Sequence, residues 1–487
     1  MGFLERFSEI FNTKKQDFIA KKLIGSNEED GEIGEIINPY LKQVTTKYIK
    51  CAPEDAKRAL ETAKNAFDKT KNSSLAQRIA WIEDVAKKLE EQKEEFAQYI
   101  TLEVAKPISQ AKVEVTRCIE NLKITAAAAY DIVGETIPTD ATFSGVKTTS
   151  FYKRVPLGVV VAITPFNFPL NLVAHKIAPA LISGNSVVLK PTPEAPYTAY
   201  AFAKLFIESK YAIKDALSVV YGDAEVGSTL IKSGVPRKIS FTGSVPVGKI
   251  ITQNAGIKKI TLELGGNAAT FVENSADLDW AAKRCAIGAF ANSGQVCISL
   301  QRIYVDSEIY EEFAQKLAVE AAKLKVGNPF EEDTFMGPLI NEDAAIRAER
   351  WINSAVKEGA RIISGGKREG NILTPTILAD VTDDMNIICE EVFAPIVSLV
   401  KVKSYEEALN KINNSPYGLQ YSIFTNRIDL MQKAINDFEA GGVIINDIPT
   451  LRFDIQPYGG VKLSGIGREG PKFAIEDMTE IKTVIIR

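Results

Sequence analysis

Two side chains in this 487-residue sequence stand where covalent chemistry could be done. Cys297 lies in AFANSGQVCISLQR, where Ser293, Gly294 and Gln295 break an apolar run just before the thiol. A thiolate is a strong nucleophile, and a helix N-terminus or a nearby cation lowers the pKa that governs it. Glu263 sits at the end of the apolar run ITLEL, ahead of Gly265-Gly266. A carboxylate at the C-terminal end of a parallel strand lies where such sheets bind ligands. Together they supply a nucleophile and a carboxylate base. Taken singly, each also has a structural reading, Cys297 as a small buried hydrophobe and Glu263 as a salt-bridged strand residue. The chain holds one histidine, His175. Ser-His-Asp hydrolysis, His-rich zinc sites and imidazole proton shuttles therefore lack their parts, and no metal ligand set is expected.

Two glycine patterns imitate phosphate loops. Gly243-Ser-Val-Pro-Val-Gly248-Lys249-Ile250 follows the run KISFT but has Ile250 where a P-loop needs Ser or Thr for magnesium, and Pro246 removes an N–H from the cradle. A looser reading survives, a strand-to-helix turn whose helix N-terminus faces a pyrophosphate. Gly465-Ile-Gly467-Arg-Glu-Gly470 lies too near the C-terminus for a βαβ unit to follow. With 58 Lys+Arg against 62 Asp+Glu and no long basic run, no nucleic-acid partner is expected. Five cysteines without a C-x-x-C pair fit reduced thiols in a cytoplasm. No run reaches transmembrane length, and the first residues, with Phe3, Phe7, Ile10 and Phe11 at helical spacing, read as an amphipathic helix rather than a signal peptide.

The elements that must position these residues show in the hydrophobic texture. Residues 53–130 carry helical periodicity among charges. Short apolar runs then alternate with helical stretches: LGVVVAI (157–163), SVVL (186–189), LSVVY (217–221), KISFT (238–242) and ITLEL (260–264). Runs without alternation mark strands buried on both faces, and the strand–helix–strand rhythm predicts a doubly wound parallel sheet. A second series, AATFV (268–272), RIYV (302–305), PIVSLVKV (395–402) and GVIIN (442–446), predicts a second α/β lobe. The terminal IKTVIIR is expected to be a strand, pairing with a partner subunit or elsewhere in the chain.

LELGGNAA, FANSGQVCIS, ITPFNFPL, LKPTPEAP, FTGSVPVG, EEVFAP and PYGGVKLSGIGREG, in this order of chemistry and spread over nearly the whole chain, resemble the aldehyde dehydrogenase superfamily. TPFNFPLNLVAHKIAPAL and IINDIPTLRFDIQPYGGVK are most similar to the branch of lactaldehyde, glyceraldehyde and succinate semialdehyde dehydrogenases. The resemblance implies an α/β fold of two doubly wound parallel-sheet lobes plus a β oligomerisation element. Residues 1–131 and 154–264 would bind the cofactor, 265–469 would form the catalytic domain, and 132–153 with 470–487 would mediate a homodimer or homotetramer. It implies NAD(P)-dependent oxidation of an aldehyde to an acid. Cys297 would attack the carbonyl, the Asn167 amide and the Cys297 N–H would hold the oxyanion, Glu263 would activate the hydrolytic water, and Lys176 would help move the proton.

For the cofactor the resemblance implies Ile163, Thr164, Pro165 and Phe166 along the nicotinamide and its ribose, and Lys190 at the adenosine ribose. Gly227, Phe241, Gly243 and Ser244 would lie near the pyrophosphate, and Leu264, Glu391 and Phe393 beside the nicotinamide and its ribose. The acid that selects NAD in the family falls here on Pro193, with Glu194 displaced by one, so NADP as well as NAD is expected. For the substrate, Arg117, Phe168 and Arg452 are the candidates, an arginine suiting the carboxylate or hydroxyl of a short hydroxyaldehyde or semialdehyde. A CoA-acylating relative would have no need of Glu263, and a silent binding member of the family would have no need of Cys297.

Overall fold

The computed structural model describes residues 18–487. The N-terminal segment with Phe3, Phe7, Ile10 and Phe11 lies outside the described residues. Among the described residues, no helix is long and apolar enough to cross a membrane.

The first parallel sheet places its strands in the order Lys259–Glu263, Pro236–Thr242, Val159–Ile163, Ser186–Lys190 and Leu217–Val219. The chain lays down Val159–Ile163 first, winds outward through two crossovers, then returns to the other side for the last two strands. Val159–Ile163 and Pro236–Thr242 are thus neighbours whose connections leave in opposite directions, which opens a crevice at their C-terminal ends. VVVAI and SVVLK lack alternation because helices cover both faces, and Val160, Val161, Val187, Val188 and Leu189 are fully buried. Each such side chain contributes about 1.5–3 kcal/mol to the folded state. Antiparallel strands finish both edges, Lys22–Ile24 beyond Leu217–Val219 and Gly465–Ile466 beyond Lys259–Glu263. The second edge registers Glu263 opposite Gly465, so the C-terminal glycine motif runs beside the carboxylate.

The second sheet orders Arg361–Ser364, Thr376–Ala379, Ile396–Val402, Leu300–Asp306, Ala268–Val272, Gln420–Phe424 and Gly442–Ile445, parallel apart from the first. Its strands feed separate cores on the two faces. Tyr304 joins one cluster and Ile303 with Val305 the other, as the period of two requires. The molecule is therefore two doubly wound parallel-sheet lobes. Thr479–Ile486 pairs antiparallel with Thr149–Pro156 as a separate two-stranded ribbon, so IKTVIIR finds its partner within its own chain.

Several strands escaped the hydrophobic pattern. Gln420–Phe424 (QYSIF) is interior, yet its polar residues are buried and satisfied, with Ser422 donating to Thr270 Oγ1 at 2.6 Å. Thr376–Ala379 is only four residues long. Ile33–Ile37 and Val44–Ile49 form an antiparallel pair ahead of the helical region, where no strands were expected.

Candidate active site

A cavity of about 920 Å³ runs between the lobes from the crevice of the first sheet to the segment before Leu300–Asp306. Cys297 lies on its wall, and Glu263, Asn167, Arg117, Phe168 and Arg452 line it too. So do Pro165, Phe166, Gly243, Ser244, Leu264, Glu391 and Phe393. The remaining expected residues stand behind this surface: Lys176, Ile163, Thr164, Lys190, Glu194, Gly227 and Phe241 do not line the cavity.

The backbone ahead of the thiol is contorted. Asn292, Ser293 and Gly294 are consecutive left-handed residues, with φ of 50°, 58° and 70°. Such strain persists only where the surroundings hold it. Ser293 Oγ donates to the Gly337 carbonyl at 2.8 Å, the Asn292 N–H donates to Gln110, and a Cβ on Gly294 would stand 2.2 Å from the Ala394 carbonyl. The Cys297 carbonyl approaches Gly266 so closely that a Cβ there would lie 2.3 Å away. Cys297 is not at a helix N-terminus: a short 3-10 turn, Ala291–Gly294, precedes it and a strand follows. Burial pushes its thiol up to about 11, while a hydrogen bond with Tyr458 and the charge of Arg452 pull it partly back. The resting group is a neutral thiol.

Glu263 ends its strand 3% exposed, and neither carboxylate oxygen has a hydrogen-bond partner among the described residues. Burial, then repulsion from Glu469, holds its carboxyl well above the ordinary range, against the pull of Lys176, Arg452 and Arg468. Glu469 is its opposite. It accepts a 2.6 Å hydrogen bond from Lys176, and the charges of Lys176 and Arg452 outweigh burial and keep it ionised. Lys176 and His175 come from Asn171–Ile182, a helix buried on every side. Two adjacent carboxyls are thus driven apart in acidity, the arrangement that separates an ionised partner from a proton acceptor.

Asn167 donates through Nδ2 to the Gln295 carbonyl at 2.9 Å, which fixes the amide and leaves its second hydrogen for another acceptor. A buried ion pair supports its loop: Lys106 Nζ contacts Glu114 at 2.7 Å and donates to the Asn167 carbonyl at 2.9 Å. Glu114 in turn accepts the N–H groups of Leu170 and Asn171. Lys106 also stands 3.6 Å over the Phe168 ring.

Arg117 is committed to Asp454 through two hydrogen bonds of 3.0 and 2.8 Å. His175 also bonds Asp454, at 3.0 Å, and burial keeps its imidazole neutral, so it is a hydrogen-bonded helix residue. Arg452 is different. Its Nη2 reaches His175 at 3.3 Å and its guanidinium lies 3.6 Å over the Tyr458 ring, but Nε, 3.7 Å from Asp454, is buried without a hydrogen-bond partner among the described residues.

At the other end of the cavity, Glu391 accepts the Gly266 N–H at 3.1 Å, and a Cβ on Gly265 would lie 2.2 Å from its carboxylate. Burial pushes Glu391 up to about 7. Phe393, held at φ 46°, meets Phe166 edge to face at 6.1 Å. The Phe241 ring packs so tightly under Gly243 that a Cβ there would lie 2.4 Å away. The Thr164 and Thr242 hydroxyls, at the ends of the two strands that flank the crevice, are buried without partners among the described residues. Lys190 stands beside Gly227, whose added Cβ would be 3.7 Å from its Cε. Glu194 turns back to the Thr192 hydroxyl.

Tyr458, Glu469, Lys106, Glu114 and Asp454 were not among the expected site residues. Tyr458 and Glu469 sit within the PYGG and GREG signatures, so their positions were visible while their partners were not.

The profile of the aldehyde dehydrogenase family matches residues 26–484. A 3-sulfolactaldehyde dehydrogenase from Priestia aryabhattai is 43% identical over 95% of this chain and 96% of its own. A lactaldehyde dehydrogenase from Methanococcus aeolicus is 42% identical over 93% and 97%. Among solved structures, the glyceraldehyde-3-phosphate dehydrogenase GapN from Methanocaldococcus jannaschii, complexed with NADP, superimposes with a TM-score of 0.90 at 40% identity, covering 94% of this chain and 99% of that one. With matches of this extent, over a fold and site of this form, the chain belongs to the aldehyde dehydrogenase family and is an oxidoreductase acting on aldehydes.

Proposed function

We propose that the protein oxidises a short aldehyde bearing a hydroxyl or anionic group to the carboxylic acid, using NADP or NAD, with Cys297 as nucleophile and Glu263 as general base. The observation that carries this reading is the pair itself: a thiol and an unpartnered, proton-retaining carboxyl facing one cavity below the crevice of a doubly wound sheet. The thiol proton passes to water in the cavity as sulfur attacks. The C–S bond forms and the carbonyl electrons move to oxygen, where the Asn167 amide and the Cys297 N–H stabilise the negative charge. A bound nicotinamide supplies the acceptor for the hydride that the thiohemiacetal loses. Glu263 then deprotonates the water that attacks the thioester carbon, the C–S bond breaks, and Lys176 with Glu469 offers a buried path for the proton. Absorbance of the reduced nicotinamide, followed over a set of aldehydes with each cofactor, tests the reaction; no turnover with any short aldehyde would refute it.

The residues around the crevice fit a dinucleotide. The orphaned Thr164 and Thr242 hydroxyls need acceptors or donors, Gly243 and Ser244 line the cavity just ahead of the helix Val245–Asn254, and Glu391 is placed to take ribose hydroxyls. Burial pulls the Lys190 ammonium down while Glu194 and Asp223 oppose it. With Pro193 in the selector position, no carboxylate at that position repels a 2′-phosphate. We expect kcat/KM with NADP to exceed that with NAD. Lys190→Ala should cut kcat/KM for NADP roughly 10- to 100-fold, the worth of a charge-assisted contact, with a smaller effect on NAD. Equal losses for both would remove Lys190 from phosphate recognition.

The substrate class follows from charge. Lys176, Arg117 and Arg452 face the ionised Asp454 and Glu469, so one positive charge is uncompensated while Glu263 keeps its proton. Arg452, whose Nε makes no hydrogen bond among the described residues although it lies 3.7 Å from Asp454, is the group we assign to anchor a substrate tail. Lactaldehyde is the leading candidate, with glyceraldehyde and succinate semialdehyde as alternatives. Arg452→Ala should raise KM roughly 10- to 100-fold for the aldehydes with a hydroxyl or carboxylate and leave propanal nearly unchanged; parallel losses for all would refute the anchor. We read Thr149–Pro156 with Thr479–Ile486 as an oligomerisation element, since Ile481, Ile485 and Ile486 are exposed on it.

A further inference from the structure

The Cys297 sulfur has one side-chain hydrogen-bond partner among the described residues, and it is the Tyr458 hydroxyl at 3.1 Å. Tyr458 is 5% exposed and lines the same cavity as the thiol. The Arg452 guanidinium covers the ring at 3.6 Å from its centroid. A cation on the π face draws electron density from the phenol and makes its O–H a better donor. A neutral thiol can give or take this hydrogen bond, but once the sulfur is ionised only the phenol can donate.

We propose that Tyr458 is a further catalytic residue, whose O–H donates to the Cys297 sulfur, holds it at the cavity wall and stabilises the thiolate that attacks the aldehyde. This rests on Cys297 being the nucleophile. The charged or titratable groups facing the thiol are Tyr458, Arg452, Glu391 and Glu263, and of these only Tyr458 touches it. Arg452, beneath the substrate tail and above the Tyr458 ring, also links aldehyde anchoring to the reactivity of the sulfur. The proton released on ionisation passes to water in the cavity, and the phenol keeps its own: burial holds Tyr458 far above the range in which it could serve as a base.

The test is the rate of Cys297 alkylation by iodoacetamide across a pH series, in the full-length protein without cofactor or aldehyde, read by peptide mass spectrometry. Tyr458→Phe keeps the ring and its stacking and removes only the hydroxyl. Its reactivity midpoint should move upward by about one pH unit, so that labelling below the midpoint slows about 10-fold. A ring-fluorinated tyrosine, a stronger donor, should move it downward. Exposed Cys389 serves as an internal reference, and buried Cys51, Cys118 and Cys285 should stay unlabelled if the fold is intact. Profiles that superimpose for all three proteins would overturn the proposal. Failure of the underlying reading shows differently, as turnover that survives Cys297→Ser.

Discussion

Cys297→Ser is expected to lower kcat by at least 10³-fold with every aldehyde and either cofactor, because removing the nucleophile of a covalent mechanism costs about as much as removing the whole unit that serves it. Oxygen in place of sulfur keeps the size but is far less acidic, and the site offers no base strong enough to ionise a serine hydroxyl. The stability change should be small. The side chain opens onto the cavity and makes a single hydrogen bond, to Tyr458, so thermal unfolding should move by only a few degrees, the equivalent of about 1 kcal/mol. A variant that is inactive and unfolded would say nothing about chemistry, whereas one folded and still turning over would refute the nucleophile. Kinetics with circular dichroism melting decide between them.

Glu263→Gln should produce the second large effect, with a different signature. The amide matches the carboxyl in shape but cannot accept a proton, so the water that resolves the thioester is no longer activated. Steady-state turnover should fall about 10²- to 10⁴-fold, the usual contribution of a general base. The pH profile gives the finer test. Burial and Glu469 raise the Glu263 carboxyl above the ordinary glutamate range, so its base form is scarce at low pH and grows as pH rises through that raised value. In the unaltered protein kcat should therefore climb with pH beyond where an exposed glutamate would already be ionised. The Gln variant should lose this limb. An unchanged profile would mean that Glu263 is not the base.

Much of this site was legible because its residues occupy dense, ordered motifs. Unbroken apolar runs marked the sheet strands, and the crevice at the ends of VVVAI and PRKISFT follows from their order in the chain. What escaped was contact across distance. Glu469 was visible in a glycine-rich tail, but only the pairing of Gly465–Ile466 with the end of Lys259–Glu263 brings it beside Glu263. Arg117 read as a candidate substrate residue, whereas Asp454, more than three hundred residues away, holds it. The Cys297 environment was hidden for the same reason: three left-handed residues and a strand place the thiol, and burial raises its pKa. Tyr458 was visible within PYGG, but only the folded chain reveals its hydroxyl against the sulfur.

The central claim is that one thiol and one carboxyl share the covalent cycle, and trapping its intermediate tests this most directly. Glu263→Gln protein should be mixed with lactaldehyde and NADP, quenched in acid and measured as intact mass and then as peptides. The account predicts a gain of one acyl group per chain, carried by the peptide containing Cys297 and absent when Cys297 is also replaced. Turnover without any acyl adduct, or an adduct on another residue, would contradict it.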